Sequence, residues 1–157
     1  LAKEYEIFSS FQVIFNMFRQ ETAEELFKLA GSKNVGLIIR VALASGLLSG
    51  KITPENTFSK DDHRHFNREG KAFDKGETFS GVPLEKAFPA VEELKELFKE
   101  DGDLAALAHR WIWMYEEGSV VSRCASKLSE LVDNVTGRKS TQIGQEKMAT
   151  GKKRYDK

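Results

Sequence analysis

The sequence predicts an α/β protein whose sheet contains about three parallel strands, in the element order β-α-β-α-α-β-α. Two observations predict this class. The run from Val35 to Leu43 is apolar and rich in β-branched residues, and it follows neither strand alternation nor a helical period. Such runs are typical of parallel strands buried on both faces. Segments with helical spacing separate the apolar runs, which is the pattern of βα repeats.

The first predicted unit begins with a short apolar strand from Phe11 to Asn16. Thr22 is placed to cap a helix through Ala30, because its hydroxyl can accept a hydrogen bond from the first turn. Apolar residues at helical spacing form one stripe of this helix: Ala23, Leu26, Phe27 and Ala30. The second strand follows from Val35 to Val41.

A long connection runs from Ala44 to Pro83, whereas connections in compact domains usually have ~4–6 residues. We expect a connection of this length to be either functional or disordered. Pro83 suits the first turn of a helix, and the apolar residues after it keep helical spacing to Phe98.

Two further helices flank a third strand. Asp103 is placed to cap a helix that continues to about Tyr115. Residues Ser119 to Val121 form a brief strand, and Ser126 is placed to cap a last helix through Val135.

The composition indicates one folded domain, with 40% apolar residues, 31% charged residues and a formal net charge of zero. Balanced charge gives no general attraction to nucleic acid, and no apolar run approaches the length of a membrane span. The single cysteine, Cys124, cannot form an internal disulfide, and no secretion leader is recognised at Leu1. We therefore expect a cytoplasmic protein with no membrane or nucleic-acid partner.

Small residues follow the second strand and suggest a ligand-binding loop. Ser45, Gly46, Ser49 and Gly50 let a backbone approach a ligand, and Lys51 adds a charge that suits phosphate. A P-loop requires glycine at position 45 and Ser or Thr at position 52, so that motif is absent. From the residues alone, an ordinary glycine-containing loop remains an equal alternative.

Four blocks of the sequence occur in a distinctive order: FQVIFNMFRQ at 11–20, RVALASGLLSGK at 40–51, DDHRHFNREGKAFDKGETFSGVP at 61–83 and ASKLSELVDN at 125–134. With these blocks in this order, the chain resembles the C-terminal part of an aldo-keto reductase. The resemblance covers about Gln12 to Val135. It implies part of a (β/α)8 TIM barrel, namely its sixth to eighth βα units, with NADP(H) bound across the carboxyl ends of the strands.

The resemblance also implies cofactor contacts. Gln12 matches the glutamine that hydrogen-bonds the nicotinamide carboxamide at the end of the sixth strand, and Arg40 occupies the position of a ring that stacks on nicotinamide in many members. The residues matching the pyrophosphate site are Leu43, Ser45, Lys51 and Arg64. The residues matching the adenosine pocket are Ser126, Glu130, Asp133 and Asn134, with Glu130 where the family has glutamine.

The chain departs from the family at the end of its last strand. Ser122-Arg123-Cys124-Ala125 stands where the family has Ile-Pro-Gly-Ala. Cys124 adds a side chain where the glycine lets backbone approach the pyrophosphate, while Arg123 can attract phosphate. We expect a changed approach of the cofactor at this position.

The resemblance predicts no catalytic residue in this chain. Family catalysis relies on Asp, Tyr, Lys and His from earlier units, which we expect upstream of Leu1. None of the other candidates is predicted at a strand end, where barrel enzymes place their chemistry: Tyr115, His109, Tyr155, His63 and His65. We also predict no metal site, although His63 and His65 lie beside two aspartates.

Three parallel strands cannot close a barrel, so both sheet edges are expected to expose unpaired backbone groups. We expect a homo-oligomer or a complementary barrel segment to cover them. Residues 1–136 form the predicted partial barrel domain, and residues 137–157 form a basic tail. This tail is expected to be solvated or to contact a partner.

Three functions remain open. The chain is the cofactor-binding part of an NADPH-dependent carbonyl reductase, or a truncated non-catalytic descendant that self-associates, or a platform whose basic tail binds a partner. We expect that the chain alone does not turn over substrate.

Overall fold

The structure is a computed structural model that describes residues 8–21, 23–123, 125, 127–136, 143, 144 and 147. Its described strands form one parallel sheet in the order β1-β2-β3: β1 is Ser10–Ile14, β2 is Gly36–Arg40 and β3 is Gly118–Val121. The predicted α/β class with three parallel strands is confirmed, and each strand lies within two residues of its predicted bounds.

The first helical segment begins as a π-helical turn, Ala23–Phe27, and continues as α1, Lys28–Lys33. It extends beyond the predicted end at Ala30 because the chain leaves the helix only at Asn34, whose φ of 53° is left-handed. The predicted cap, Thr22, lies outside the described residues.

Three longer helices follow: α3 is Leu84–Phe98, α4 is Leu104–Ile112 and α5 is Leu128–Thr136, after the short α2, His63–Phe66. Asp103 caps α4 as predicted, since its Oδ1 accepts from the Ala105 N–H at 2.8 Å. The predicted continuation of α4 to Tyr115 is wrong. The chain tightens after Ile112 into a turn in which the Tyr115 N–H donates to the Ile112 carbonyl.

The sheet is buried on one face only. Leu37 and Ile39 are fully buried on the face against the helices, whereas Gln12 and Val120 on the opposite face are exposed. The expectation of burial on both faces is therefore not met by the described residues. Side chains of successive residues in a strand point to opposite faces of the sheet. Ile38, between Leu37 and Ile39, therefore lies on the uncovered face although the whole run is apolar.

An aromatic cluster joins β1 to the helices. Phe15 stacks on Trp111 with a centroid separation of 5.1 Å, and it meets Phe27 at 4.6 Å and Tyr115 at 5.0 Å. Burial, followed by the charge of Glu117, raises the pKa of Tyr115 to about 12. This cluster fixes the helical layer on the buried face of the sheet.

The long connection is ordered by buried amides rather than by regular structure. Asn67 is fully buried, and its Oδ1 accepts from the Ala72 and Phe73 N–H groups at 2.9 and 3.0 Å. Asn16 Nδ2 donates to the Val41 carbonyl at 2.9 Å and to Ser80 Oγ at 2.8 Å. These bonds hold the connection against the end of β2.

Candidate functional site

A cavity of about 660 Å³ opens at the carboxyl ends of β2 and β3. It lies between the strand ends, the start of the long connection and α4. This is the position at which parallel α/β and barrel proteins bind ligands, and the volume falls within the usual range of ligand pockets, roughly 300–1,000 Å³.

The cavity brings together half of the predicted cofactor-binding residues. Those that line it are Gln12, Arg40, Leu43, Ser45 and Arg64. Gln12 lies in the middle of β1, opposite Ile38, rather than at the strand end, yet its side chain still borders the cavity.

Of the other predicted residues, those that the structure describes with their side chains do not line the cavity. Lys51 is exposed beyond it. In α5, Glu130 accepts from the Lys127 N–H at 3.2 Å and so caps its own helix, and the Asn134 carbonyl accepts from Arg123 Nη1. Ser126 and the side chain of Asp133 lie outside the described residues.

Arg40 is joined to the long connection by a two-point ion pair. Its Nη1 and Nη2 each lie 2.6 Å from a carboxylate oxygen of Glu77. The hydrogen bonds that Arg40 donates to the Glu77 carboxylate raise the pKa of Arg40. The guanidinium is thereby fixed at the cavity wall.

The floor of the cavity has a left-handed backbone. Val41, Ala44 and Ser45 have φ values of 55°, 48° and 56°. Non-glycine residues rarely adopt this conformation, which costs roughly 1–3 kcal/mol each and tends to occur at ligand sites. Ser45 Oγ accepts from the Phe79 N–H at 3.0 Å and donates to the Glu77 carbonyl at 3.3 Å, so it anchors this floor to the connection.

Arg64 lies on the opposite wall. It contacts both carboxylate oxygens of Asp62, with an Nη2 to Oδ2 distance of 2.6 Å, and its guanidinium carbon lies 4.3 Å from the centre of the Phe58 ring. The hydrogen bonds from Arg64 hold the pKa of Asp62 at about 2. Arg64 is therefore a positioned cation at the edge of the cavity.

His109, which the sequence analysis did not assign to the site, lines the cavity together with Arg123, which was expected to attract phosphate there. His109 is only 2% exposed, and burial followed by the charge of Arg123 lowers its pKa to about 4. The signal for His109 was available, because it interrupts the apolar stripe of α4 beside Trp111 and Ile112. A buried titratable group at a cavity is a candidate for function.

Chemically, the cavity suits an anionic ligand with a planar polar group. Three guanidinium groups line it, from Arg40, Arg64 and Arg123, and Glu77 is the carboxylate that lines it. Gln12 adds an amide that both donates and accepts. Among the described residues, no group of three His, Cys, Asp or Glu side chains is arranged to hold a metal ion.

Residues 1–155 match the sequence profile described as the aldo/keto reductase family. The fold is similar to glycerol dehydrogenase AKR11B4 from Gluconobacter oxydans, with a TM-score of 0.69 and 24% identity over 94% of this chain. It is also similar to the holo form of aldo-keto reductase AKR11C1 from Bacillus halodurans, with a TM-score of 0.67 and 20% identity over 98% of this chain.

The chain spans 41% and 46% of the length of those two proteins. Both are (β/α)8 barrels, so the open face of this sheet corresponds to the interior of their barrels. No curated protein is significantly similar to the chain. Within the described residues, no helix combines the length and apolar character needed to cross a bilayer.

Proposed function

Because the chain belongs to the aldo/keto reductase family, we propose that it supplies the NADP(H)-binding part of an NADPH-dependent carbonyl reductase. The observation that carries this proposal is the cavity at the carboxyl ends of β2 and β3, which gathers Gln12, Ser45 and Arg64. The family resemblance independently assigns these three residues to the cofactor.

The residues present fit a dinucleotide. The arginines that line the cavity match its phosphates. Gly46 has a φ of 101°, which residues with a side chain rarely adopt, so glycine is favoured there, and the backbone at this position is open to a ligand. Gln12 would hold the carboxamide of the nicotinamide. When the cofactor is bound, the nicotinamide ring supplies the hydride.

We propose that carbonyl reduction requires groups outside this chain's cavity. Within the cavity, the buried His109 is neutral at physiological pH, because burial lowers its pKa to about 4, and Arg40 is fixed in its ion pair with Glu77. Val120 and Gln12 are exposed on the open face of the sheet. Their exposure supports the proposal that a complementary barrel segment or a second copy of the chain covers this face.

A second candidate is a non-catalytic, self-associating descendant. It is favoured by the internal pairing of Arg40 with Glu77 and of Arg64 with Asp62, which occupies two of the cations assigned to the cofactor. It is also favoured by the exposed apolar residues of α5: Leu128, Leu131, Val132 and Val135.

Calorimetric titration with NADPH and NADH separates these candidates. The proposal expects saturable binding that prefers NADPH and is weakened about tenfold or more in Arg64→Gln. Arg68→Gln is the matched control, because Arg68 is exposed and does not line the cavity. Absence of binding up to millimolar cofactor would favour the self-associating descendant.

A further inference from the structure

His109 and Arg123 meet at the wall of the cavity formed by α4 and the end of β3. Both line the cavity, although they belong to different elements. We propose that they form an anion-binding wall that holds a phosphate group of the bound ligand. This inference deepens the proposed function and rests on it for the identity of the ligand as a dinucleotide.

Arg123 is positioned rather than free to swing. Its guanidinium carbon lies 4.7 Å from the centre of the Trp113 ring, a separation at which a cation is attracted to the ring face. Its Nη1 also donates to the Asn134 carbonyl, which ties it to α5. A guanidinium presents several N–H donors in one plane, the geometry that suits phosphate oxygens.

His109 is the second member of the wall. Its ring is nearly fully buried, borders the cavity, and lies 6.2 Å from the Trp113 ring. Among the described residues, no side-chain hydrogen bond to its imidazole is found. The neutral ring keeps one N–H donor, and a proton would add a second.

The charges near His109 connect its protonation to the ligand. Among the described residues, Arg123 disfavours the protonated ring and Asp103 favours it. A phosphate beside Arg123 would offset the effect of that cation and stabilise the imidazolium. The wall therefore predicts that anion binding is accompanied by proton uptake.

This wall also accounts for a departure from the family sequence. Arg123 stands where the family has proline. It precedes Cys124, which replaces the family glycine at which the backbone approaches the pyrophosphate. The Arg123 side chain would then supply an anion contact at this position through its own donors.

The test uses the full chain and two probes, NADPH and inorganic pyrophosphate, in calorimetric titrations at several pH values. Arg123→Gln is expected to weaken both probes about 10- to 100-fold, as expected for one charge-assisted contact. As the pH falls towards the His109 pKa of about 4, binding to wild type is expected to tighten relative to binding to His109→Leu, a comparison in which the protonation of the probe itself cancels. Lys86→Gln is the control, because it removes one positive charge at an exposed residue of α3 that does not line the cavity.

The outcomes separate this inference from the proposed function. If NADPH binds wild type, Arg123→Gln and His109→Leu equally, the wall is overturned and cofactor binding stands. If pyrophosphate binds through Arg123 but NADPH does not bind, the wall stands and the proposed function fails. If neither probe binds wild type, both are overturned. Arg123→Lys and His109→Gln, with circular dichroism, show whether a loss reflects misfolding.

Discussion

Arg40 and Glu77, 37 residues apart in sequence, face each other through two parallel hydrogen bonds of 2.6 Å. The pair joins the carboxyl end of β2 to the far part of the long connection. Ser45 reinforces the same junction through the Glu77 carbonyl and the Phe79 N–H. The wall of the cavity is thus built by the connection, which explains why so long a segment is ordered.

We predict that Arg40→Gln and Glu77→Gln are coupled by about 1 kcal/mol in the free energy of unfolding. The reason is that each change alone breaks the ion pair and its two-point geometry, so the second change costs little. Urea unfolding of the two single variants, the double variant and wild type measures this coupling. Additive effects would show that the pair does not stabilise the junction.

Acid is predicted to destabilise the protein through His109. Its folded pKa of about 4 is below its ordinary value of 6.5, so the unfolded chain binds the proton first as the pH falls. Above pH 6.5 the neutral His109 ring makes its full contribution to the free energy of unfolding. This contribution, up to about 3 kcal/mol, is lost as the pH falls towards 4.

Urea unfolding between these pH values measures the effect of His109, with His109→Leu expected to flatten the curve. His65→Leu is the matched control, since His65 is exposed in the connection. An unchanged pH profile in His109→Leu would mean that other groups cause the acid sensitivity.

Asn67→Ala is predicted to loosen the long connection. The change removes the acceptor of two half-buried hydrogen bonds, those from the Ala72 and Phe73 N–H groups, at a cost of about 0.5–1.5 kcal/mol per bond. Limited proteolysis within residues 67–78, together with thermal unfolding, detects the effect. Asn56→Ala, an exposed asparagine in the same connection, should behave almost as wild type. Equal sensitivity of the two variants would show that Asn67 does not organise this segment.

One-sided burial of the sheet predicts a contrast between two strand positions. Ile39→Ala should cost about 2–5 kcal/mol, because Ile39 is fully buried against the helices. Val120→Ala should change the stability of the isolated chain by about 0.5 kcal/mol or less, because its side chain is 53% exposed.

Sedimentation at several concentrations shows whether the open face is covered in solution. If Val120→Ala weakens self-association, a second copy covers this face. A large loss of stability in Val120→Ala without any association would contradict one-sided burial of the sheet.

Local patterns predicted the strands and most helix starts. The β-branched run of β2 and the Asp103 cap act within a few residues, so the sequence alone was sufficient for them. The long connection was different, since its order depends on Asn16 and Asn67 bonding to distant residues. No local period encodes those contacts.

The candidate site was predicted only in part. Gln12, Ser45 and Arg64 were found through the family resemblance, and the cavity brings them together. The placement of His109 at the cavity was not predicted, because it depends on packing between elements. The pairing of Arg64 with Asp62, two residues away, was not predicted because no regular period encodes it. Of the predicted tail, the structure describes the buried Ile143, Gly144, and Lys147, which pairs with Asp101.

The most direct test of NADP(H) binding is an NMR titration of the isotope-labelled chain with NADPH. The account predicts saturable shifts in the backbone amides around the cavity, at Gln12, Ser45 and Arg64, and small shifts along α3. No shifts, or shifts confined to residues 137–157, would contradict it, because cofactor binding at the ends of β2 and β3 would then be absent.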